Sequence, residues 1–255
     1  MRAIMATARM QIRLASRSIE SVMPLLVMPL QSVVALAILA HSGRLDLAGY
    51  ALCAALLLTV GQMGLFIGSE IVAHDRRDQI LELLVATPTP YINVLATRTI
   101  LVSSFGLAGF VEAWLIARLI FGVTIEIHHS GLMAIALAAT VLAGGGTAVL
   151  TSALFSLART TRTLQNATNG PFYVLGGVLV PVSFLPVWLQ PLSPLIFFTW
   201  SANLVRSALA PEPPQDAAFQ LGMLLALGAG AALLGVHVMR RMLDKLRHDG
   251  RLGLT

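Results

Sequence analysis

Residues 70–90 read EIVAHDRRDQILELLVATPTP, and this stretch determines how the rest of the chain is organised. Its first half carries most of the charge, and Pro88 and Pro90 end it. Long apolar runs precede and follow it. A chain that places a charged, helix-forming segment between two membrane-spanning runs presents that segment to water. The stretch therefore predicts a docking surface for a soluble partner.

The composition places the chain in a membrane. Its 255 residues are 56% hydrophobic and only 11% charged, with a mean hydropathy of +0.81. A water-soluble domain of this size does not need so much apolar surface. Runs long enough to cross about 30 Å of hydrocarbon at about 1.5 Å per residue predict six spans. They lie at 22–40, 49–71, 99–123, 132–157, 171–190 and 217–239. We therefore predict an all-α membrane protein with a single transmembrane domain over residues 1–255.

Basic residues set the orientation, because the Lys and Arg of short loops stay in the cytoplasm. Of the 17 basic residues, only Arg44, Arg118 and Arg206 fall on the other side of the predicted spans. Both termini are therefore predicted to be cytoplasmic. The net charge of +5 follows from this topology and from anionic headgroups, so it does not indicate a nucleic-acid partner.

The first twenty residues have helical organisation of their own. Apolar side chains gather on one face of a helix over 1–20, and Arg2, Arg9, Arg13 and Arg17 gather on another. This pattern predicts an amphipathic helix lying in the membrane interface. The alternative is a secretory signal cleaved near Ala35–Ala37, but the apolar run is long and contains prolines.

Residues 75–90 are predicted to form a short helix with an apolar ridge. Asp75 can cap it with Asp78 in the first turn, and Pro88 ends it. The apolar ridge is Ile80, Leu83 and Leu84, and the charged contacts are Arg76, Arg77 and Glu82. Two interpretations are open: the ridge docks in a groove of a soluble subunit, or it rests on lipid headgroups.

Two blocks of sequence resemble one family. Glu70 ends the second predicted span, and Glu82-Leu83-Leu84 is followed by Pro88, which resembles the cytoplasmic coupling helix of ABC-2 type exporter permeases. Residues 176–195 read GGVLVPVSFLPVWLQPLSPL and precede Arg206, which is similar to a second stretch of that family. The resemblance implies that residues 75–90 transmit force from a partner ATPase.

The second block is also unusual in its own right. Four prolines lie between Pro181 and Pro194, and proline breaks a helix, so one straight fifth span is not expected. The resemblance implies a break near Pro181 and short re-entrant helices on the outer side, around Pro186 and Trp188. We expect an interfacial aromatic belt there. Its members are Phe184, Trp188, Phe197, Phe198 and Trp200.

Ionisable residues inside the third span are candidates for function, because they are costly in hydrocarbon. Glu112 either faces a translocation path or a partner, or is buried against a polar group of a neighbouring span. Arg118 is expected to extend to the headgroups. In the next loop, Glu126, His128 and His129 could bind a metal ion, but we expect an exposed, solvated loop.

The sequence offers no energy source. A phosphate-binding loop needs a lysine followed by Ser or Thr, yet Lys245 is the only lysine and Leu246 follows it. The glycines of 144–146 are instead expected to allow close helix packing or to form a flexible point in the fourth span. Cys53, the only cysteine, cannot form a disulfide within the chain. We therefore expect no catalytic site and no cofactor here, with ATP and Mg on a partner subunit.

The resemblance implies the membrane subunit of an ABC exporter in a bacterial cytoplasmic membrane, paired with a second permease chain and two ATPase subunits. Aromatic residues are only 6% of the chain, which favours an amphiphilic drug, antibiotic or lipid-like cargo over a polysaccharide or lipid-linked glycan. Two other classes stay open. One is a secondary transporter or channel that works without ATP, and the other is an intramembrane enzyme.

Overall fold

The structure is a computed structural model. It describes residues 7, 9–13, 19–80, 90–156, 161–179, 181–212, 214 and 216–248, and within them every regular element is helical. We number the α-helices in chain order. They are α1 Ile19–His41, α2 Ala48–Gly61, α3 Ser69–Arg77, α4 Tyr91–Phe105, α5 Ala108–Leu119, α6 Ser130–Phe155, α7 Thr161–Leu175, α8 Phe197–Leu209 and α9 Ala217–His248. A π-helix, Gln62–Gly68, joins α2 to α3.

Four stretches of the described chain are long and apolar enough to cross a membrane. They are Leu45–Arg77, Tyr91–Leu119, Ser130–Phe155 and Ala217–Asp244. The first predicted span falls within α1, of which Leu30–His41 is a shorter apolar helix. Of the fifth predicted span, 171–190, only the residues up to Leu175 are α-helical, and they are the end of the 15-residue α7. The all-helical membrane fold is confirmed, whereas the number of six spans stays a prediction.

Two predicted boundaries were wrong at the same end of the molecule. The second span was predicted to end at residue 71, but the helix continues to Arg77; the third was predicted to begin at 99, but α4 begins at Tyr91. The physical reason is that charged residues there are not in water. Arg98 and Asp75 are buried and paired, so an apolar-run criterion that stops at a charge ends each span too early.

Glycines bring the long helices α6 and α9 into close contact. A Cβ atom on Gly235 would lie 2.6 Å from the Leu150 backbone nitrogen, and one on Gly228 would lie 2.5 Å from the Ala143 Cα. A Cβ atom on Gly145 would lie 3.0 Å from the Ile100 Cα of α4. The predicted role of the glycines of 144–146 in close packing is confirmed.

Aromatic rings fill the core between α2, α7 and α8. The rings of Phe197 and Phe198 lie 4.2 Å apart, and that of Tyr173 lies 5.4 Å from Phe198. Phe197 and Phe198 are therefore buried, and their predicted place in an interfacial belt was wrong. The sequence did not show this because the burial of these rings depends on Tyr173 and other residues that are distant in the chain. Phe184 and Trp188 are exposed.

The chain changes direction after α7. This helix ends at Leu175, Gly177 follows with a φ of 67°, and 3-10 turns occupy Val182–Phe184 and Gln190–Leu195. Residues 171–190 thus do not form one straight helix. The outer part consists of 3-10 turns rather than α-helices, and its re-entry into the membrane stays a prediction.

Candidate functional site

A buried ion pair links the end of α3 to α4. Arg98 Nη1 lies 2.8 Å from Asp75 Oδ1 and 2.7 Å from Asp75 Oδ2. Asp75 is 2% exposed and Arg98 is 4% exposed. A charge-assisted hydrogen bond that is short and shielded from water is strong. Loss of either side chain would leave the charge of the other buried without compensation.

Two further side chains complete this buried cluster. The Tyr91 hydroxyl donates to Asp75 Oδ2 at 3.0 Å, and Arg98 Nε donates to Gln11 Oε1 at 2.7 Å. Gln11, Asp75, Tyr91 and Arg98 come from the N-terminal segment, the end of span two and the start of span three. We call these four residues the root cluster, because they lie where the 75–90 segment leaves the membrane domain.

Helical spacing explains how the root cluster forms. Tyr91 and Arg98 are seven residues apart, about two turns, and so lie on one face of α4. Asp75 lies on the buried face of α3 together with Ile71 and Val72. Sequence reasoning used Arg98 only as a cytoplasmic charge and did not consider Gln11 or Tyr91. The signal that could have identified this cluster is an arginine placed two helical turns from a tyrosine within an apolar run.

The predicted capping role of Asp75 was wrong. Asp75 lies inside α3, which ends at Arg77 with Asp78 as its C-cap residue. Gln79 then has a φ of 57°, which turns the chain away from the helix axis. Asp78 is exposed, and its carboxylate lies 3.5 Å from the His74 ring. Local sequence suggested a cap because the true partner, Arg98, lies 23 residues further along.

The other predicted docking residues divide into three groups. Arg76, Arg77 and Asp78 are exposed, whereas Glu70 and Ile80 are half-buried. Arg76 Nη2 lies 4.0 Å from the Met242 sulfur of α9. Residues Glu82, Leu83, Leu84 and Pro88 lie outside the described residues. The described beginning of the 75–90 segment thus offers charged, solvent-facing side chains, while Asp75 anchors it from within.

Glu112 lies on the flank of α5 and is half-buried. Its Oε2 atom is buried, and among the described residues it has no hydrogen-bond partner. One turn further on, Ile116 packs against the cluster that contains Leu36 of α1, so Glu112 lies on the same side of α5. Arg118 is exposed, and its guanidinium lies 5.4 Å from the Trp114 ring. A pathway role for Glu112 stays a prediction.

Arg206 secures the bend that follows α7. Its Nη2 atom donates to the Gly177 carbonyl at 2.7 Å, and its guanidinium lies 5.2 Å from the centre of the Tyr50 ring. One side chain of α8 therefore holds both the bend and the start of α2. Of the other outer residues that we predicted, Pro181 is half-buried, and Pro186 and Trp188 are exposed.

The histidines at 128 and 129 contact backbone carbonyls at the end of α8 and just beyond it. His128 Nδ1 lies 2.9 Å from the Leu209 carbonyl, and His129 Nε2 lies 3.0 Å from the Glu212 carbonyl. Orphan carbonyls at a helix C-terminus need such donors. Among the described residues no group of three or more candidate ligands could hold a metal ion. The loop is exposed, as expected, because Glu126 and His128 are exposed and His129 is half-buried, although both rings also contact these backbone carbonyls.

The chain was compared with known proteins. A family model described as ABC-2 type transporter matches residues 2–210, which include the root cluster and the bend after α7. A comparison with curated proteins gives no match.

Proposed function

Because the chain belongs to the ABC-2 type transporter family, we propose that it is the membrane subunit of an ATP-driven exporter in a bacterial cytoplasmic membrane. The family consists of transmembrane permeases, which are not catalytic themselves and normally work with ABC ATPase subunits. In the proposed complex, two ATPase subunits bind ATP and Mg, and the 75–90 segment transmits their movement to the spans.

The root cluster is the observation that supports this function most. A movement applied to the exposed residues after Asp75 reaches α3 directly. The Asp75–Arg98 pair extends it to α4, and the Arg98–Gln11 bond extends it to the N-terminal segment. Buried, charge-assisted bonds resist separation better than exposed ones do. The segment and its three attachments would therefore move as one body when a partner pushes on it.

The exposed face of α7 supports the proposal that the chain works together with a second permease chain. Asn166, Ala167, Gly170, Pro171 and Val174 are exposed on this helix. The polar side chain of Asn166 and the helix turn that lacks a backbone hydrogen bond at Pro171 are unfavourable against hydrocarbon, because the bilayer offers no hydrogen bonds. We infer that this face meets a water-containing path or a second chain rather than lipid. The path between two chains would then carry the cargo.

The outer surface favours an amphiphilic cargo. Four of its side chains are at least 70% exposed, namely Phe184, Val187, Trp188 and Leu195. No charged residue occurs between Arg162 and Arg206. An apolar exit suits a drug, an antibiotic or a lipid-like molecule better than a hydrated one. The exposed rings of Phe184 and Trp188 keep a lipid-linked glycan as the second candidate, because sugars stack on aromatic faces.

Purification of the tagged chain from its native membrane tests the proposal. We expect an ATPase subunit to co-purify in a 1:1 ratio and transport by the reconstituted complex to require ATP hydrolysis. The variant Asp78→Arg alters the exposed surface but not the root cluster. It should weaken binding of the ATPase subunit while the chain still inserts into the membrane. A complex without a nucleotide-hydrolysing subunit, or transport that persists without ATP, would exclude an ATP-driven exporter.

A further inference from the structure

The π-helix Gln62–Gly68 interrupts the second span between α2 and α3. A π-helix bonds residues five apart and holds more residues per turn than an α-helix, so it contains an inserted residue. A full change of register by one residue corresponds to about 1.5 Å along the axis and about 100° around it. The segment is thus a point where α3 can shift against α2 while the span stays helical.

Side chains from two other helices hold the π-helix in its present register. Gln165 Nε2 of α7 donates to Ser69 Oγ at 2.7 Å and lies 3.3 Å from the Phe66 carbonyl. The Ser69 hydroxyl lies 2.5 Å from the Leu65 carbonyl. On the other side, Ser152 Oγ of α6 donates to the Gly68 carbonyl at 2.8 Å. The carbonyls of Leu65, Phe66 and Gly68 thus accept side-chain hydrogen bonds, and those from Gln165 and Ser152 come from outside the span.

Two buried polar atoms beside the π-helix have no hydrogen-bond partner among the described residues: Gln165 Oε1 and Ser103 Oγ. Gln165 is 1% exposed and Ser103 is 0% exposed. A Cβ atom on Gly64 would lie 2.9 Å from Ser103 Oγ, so this oxygen lies directly against the π-helix. An unpaired polar atom at membrane depth is costly. Both atoms are acceptors placed where a change of register would free backbone N–H groups.

The π-helix is also directly connected to the root cluster. Asp75 lies seven residues after Gly68, which is about 10 Å along a helix at about 1.5 Å per residue. Within Ala48–Arg77, the π-helix is the one stretch that departs from α-helical bonding. A force on the 75–90 segment that moves α3 as a body therefore deforms the span at residues 62–68.

We propose that Gln62–Gly68 is a register joint, that is, a point at which the helical register of the second span changes. This inference rests on the proposed function. When the partner ATPase moves the root cluster, the inserted residue of the π-helix shifts to another position along the span, and Gln165 and Ser152 release their hydrogen bonds to the Phe66 and Gly68 carbonyls. The unpaired Gln165 Oε1 and Ser103 Oγ receive the N–H groups that are freed during the shift. Since Gln165 is on α7 and Ser152 on α6, the joint connects the second span to the fourth and to the proposed path-lining helix.

The first test needs no partner. Hydrogen exchange is measured on residues 62–69 of the purified chain in nanodiscs, for the wild type, Gln165→Leu and Ser69→Ala. Each variant loses at least two hydrogen bonds of the present register, and exchange is expected to rise about tenfold or more. Ser104→Ala is the matched control, because the Ser104 hydroxyl bonds within α4 to the Leu101 carbonyl. Equal hydrogen-exchange rates for residues 62–69 in all four proteins would overturn the proposal of a register joint.

The second test uses the assembled complex. Deletion of Ile67 removes one residue from the joint, so the span can become α-helical with its ends in place. ATP hydrolysis is expected to continue while transport per ATP falls about tenfold or more. If the deletion prevents insertion, Gln165→Leu decides, with a fall in transport per ATP expected. Normal coupling in either variant overturns the joint, whereas a wild-type chain that binds no ATPase counts against the proposed function alone.

Discussion

Asp75 and Arg98 lie on different helices, 23 residues apart in sequence, and their charged atoms are 2.7 Å apart. The pair joins the end of α3 to the start of α4. Tyr91 also donates to the Asp75 carboxylate, and Gln11 accepts from Arg98 Nε. The root cluster therefore holds together the two helix ends from which residues 78–90 extend.

The first prediction concerns the loss of one charge from this pair. Arg98→Met leaves the Asp75 carboxylate buried without its cation, which should destabilise the fold by about 3–5 kcal/mol. The measurement is the thermal unfolding midpoint in detergent. Arg77→Met is the control, because Arg77 is exposed and its Nε lies 3.3 Å from the Ala73 carbonyl of its own helix. Equal midpoints in the two variants would show that the pair does not hold α3 to α4.

A double variant refines this prediction. Asp75→Asn with Arg98→Gln removes both charges but keeps polar atoms at both positions. It should recover most of the stability that Arg98→Met loses, because no isolated charge remains. Its transport per ATP should still be lower than that of the wild type, since a neutral pair separates more easily under load. Full transport would mean that the ion pair stabilises the fold without transmitting force.

The second prediction concerns the contact between α6 and α9. Gly235→Ala places a Cβ atom 2.6 Å from the Leu150 backbone nitrogen, a distance that real Cβ atoms do not show. The helices must separate, at a cost of about 1–3 kcal/mol. Gly230→Ala on the same helix is the control, because a Cβ atom there meets nothing within 4 Å. Comparing the unfolding midpoints of the two variants isolates the contact from helix propensity, which favours alanine in both.

The parts of the fold that the sequence predicted well are those governed by hydropathy over many residues. The spans at 132–157 and 217–239 agree with Ser130–Phe155 and Ala217–Asp244, because their interiors contain no charge to interrupt the count. The break after α7 was predicted because four prolines cannot sit in one straight helix. In both cases the controlling physics is local or averages over a long window.

The errors share a different cause. Asp75 was assigned to a surface, and the span before it was ended too early, since a carboxylate is normally in water. Whether it is buried depends on Arg98, and no property of residues 70–80 shows that partner. The contacts of the histidines at 128 and 129 were not predicted for the same reason, because the carbonyls that they contact lie more than 80 residues away, at the end of α8 and just beyond it. The π-helix was not predicted, since its residues continue the apolar run of α2 and hydropathy does not distinguish π-helical from α-helical bonding.

The third prediction concerns Arg206 and uses the natural cysteine as its reporter. Cys53 is fully buried, with its sulfur 3.8 Å from the Ala202 carbonyl of α8. Arg206→Met removes the bond to Gly177 and the contact with Tyr50, so α8 should separate from α2 more often. Labelling of Cys53 by a maleimide is expected to accelerate by about tenfold, the effect of about 1.4 kcal/mol.

Two variants check the origin of this effect. In Arg206→Lys, Cys53 should be labelled nearly as fast as in Arg206→Met, because an ammonium cannot bond the Gly177 carbonyl and stack on the Tyr50 ring at the same time. Arg118→Met removes the exposed arginine over Trp114 and should leave the labelling rate unchanged. An unfolding midpoint of Arg206→Met equal to that of the wild type would show that other contacts hold the bend after α7.

The last prediction concerns Glu112, whose role the sequence left open between a transport path and burial against a polar neighbour. Glu112→Gln keeps the shape of the side chain and removes its charge. Since Oε2 has no hydrogen-bond partner among the described residues, the fold should lose no stability, and the unfolding midpoint should stay the same or rise. If Glu112 serves the path, transport should fall while ATP hydrolysis continues. Glu126→Gln, in the exposed outer loop, is the matched control. A midpoint that falls by several degrees in Glu112→Gln alone would instead assign the carboxylate to packing between α5 and α1, and unchanged transport would remove it from the path.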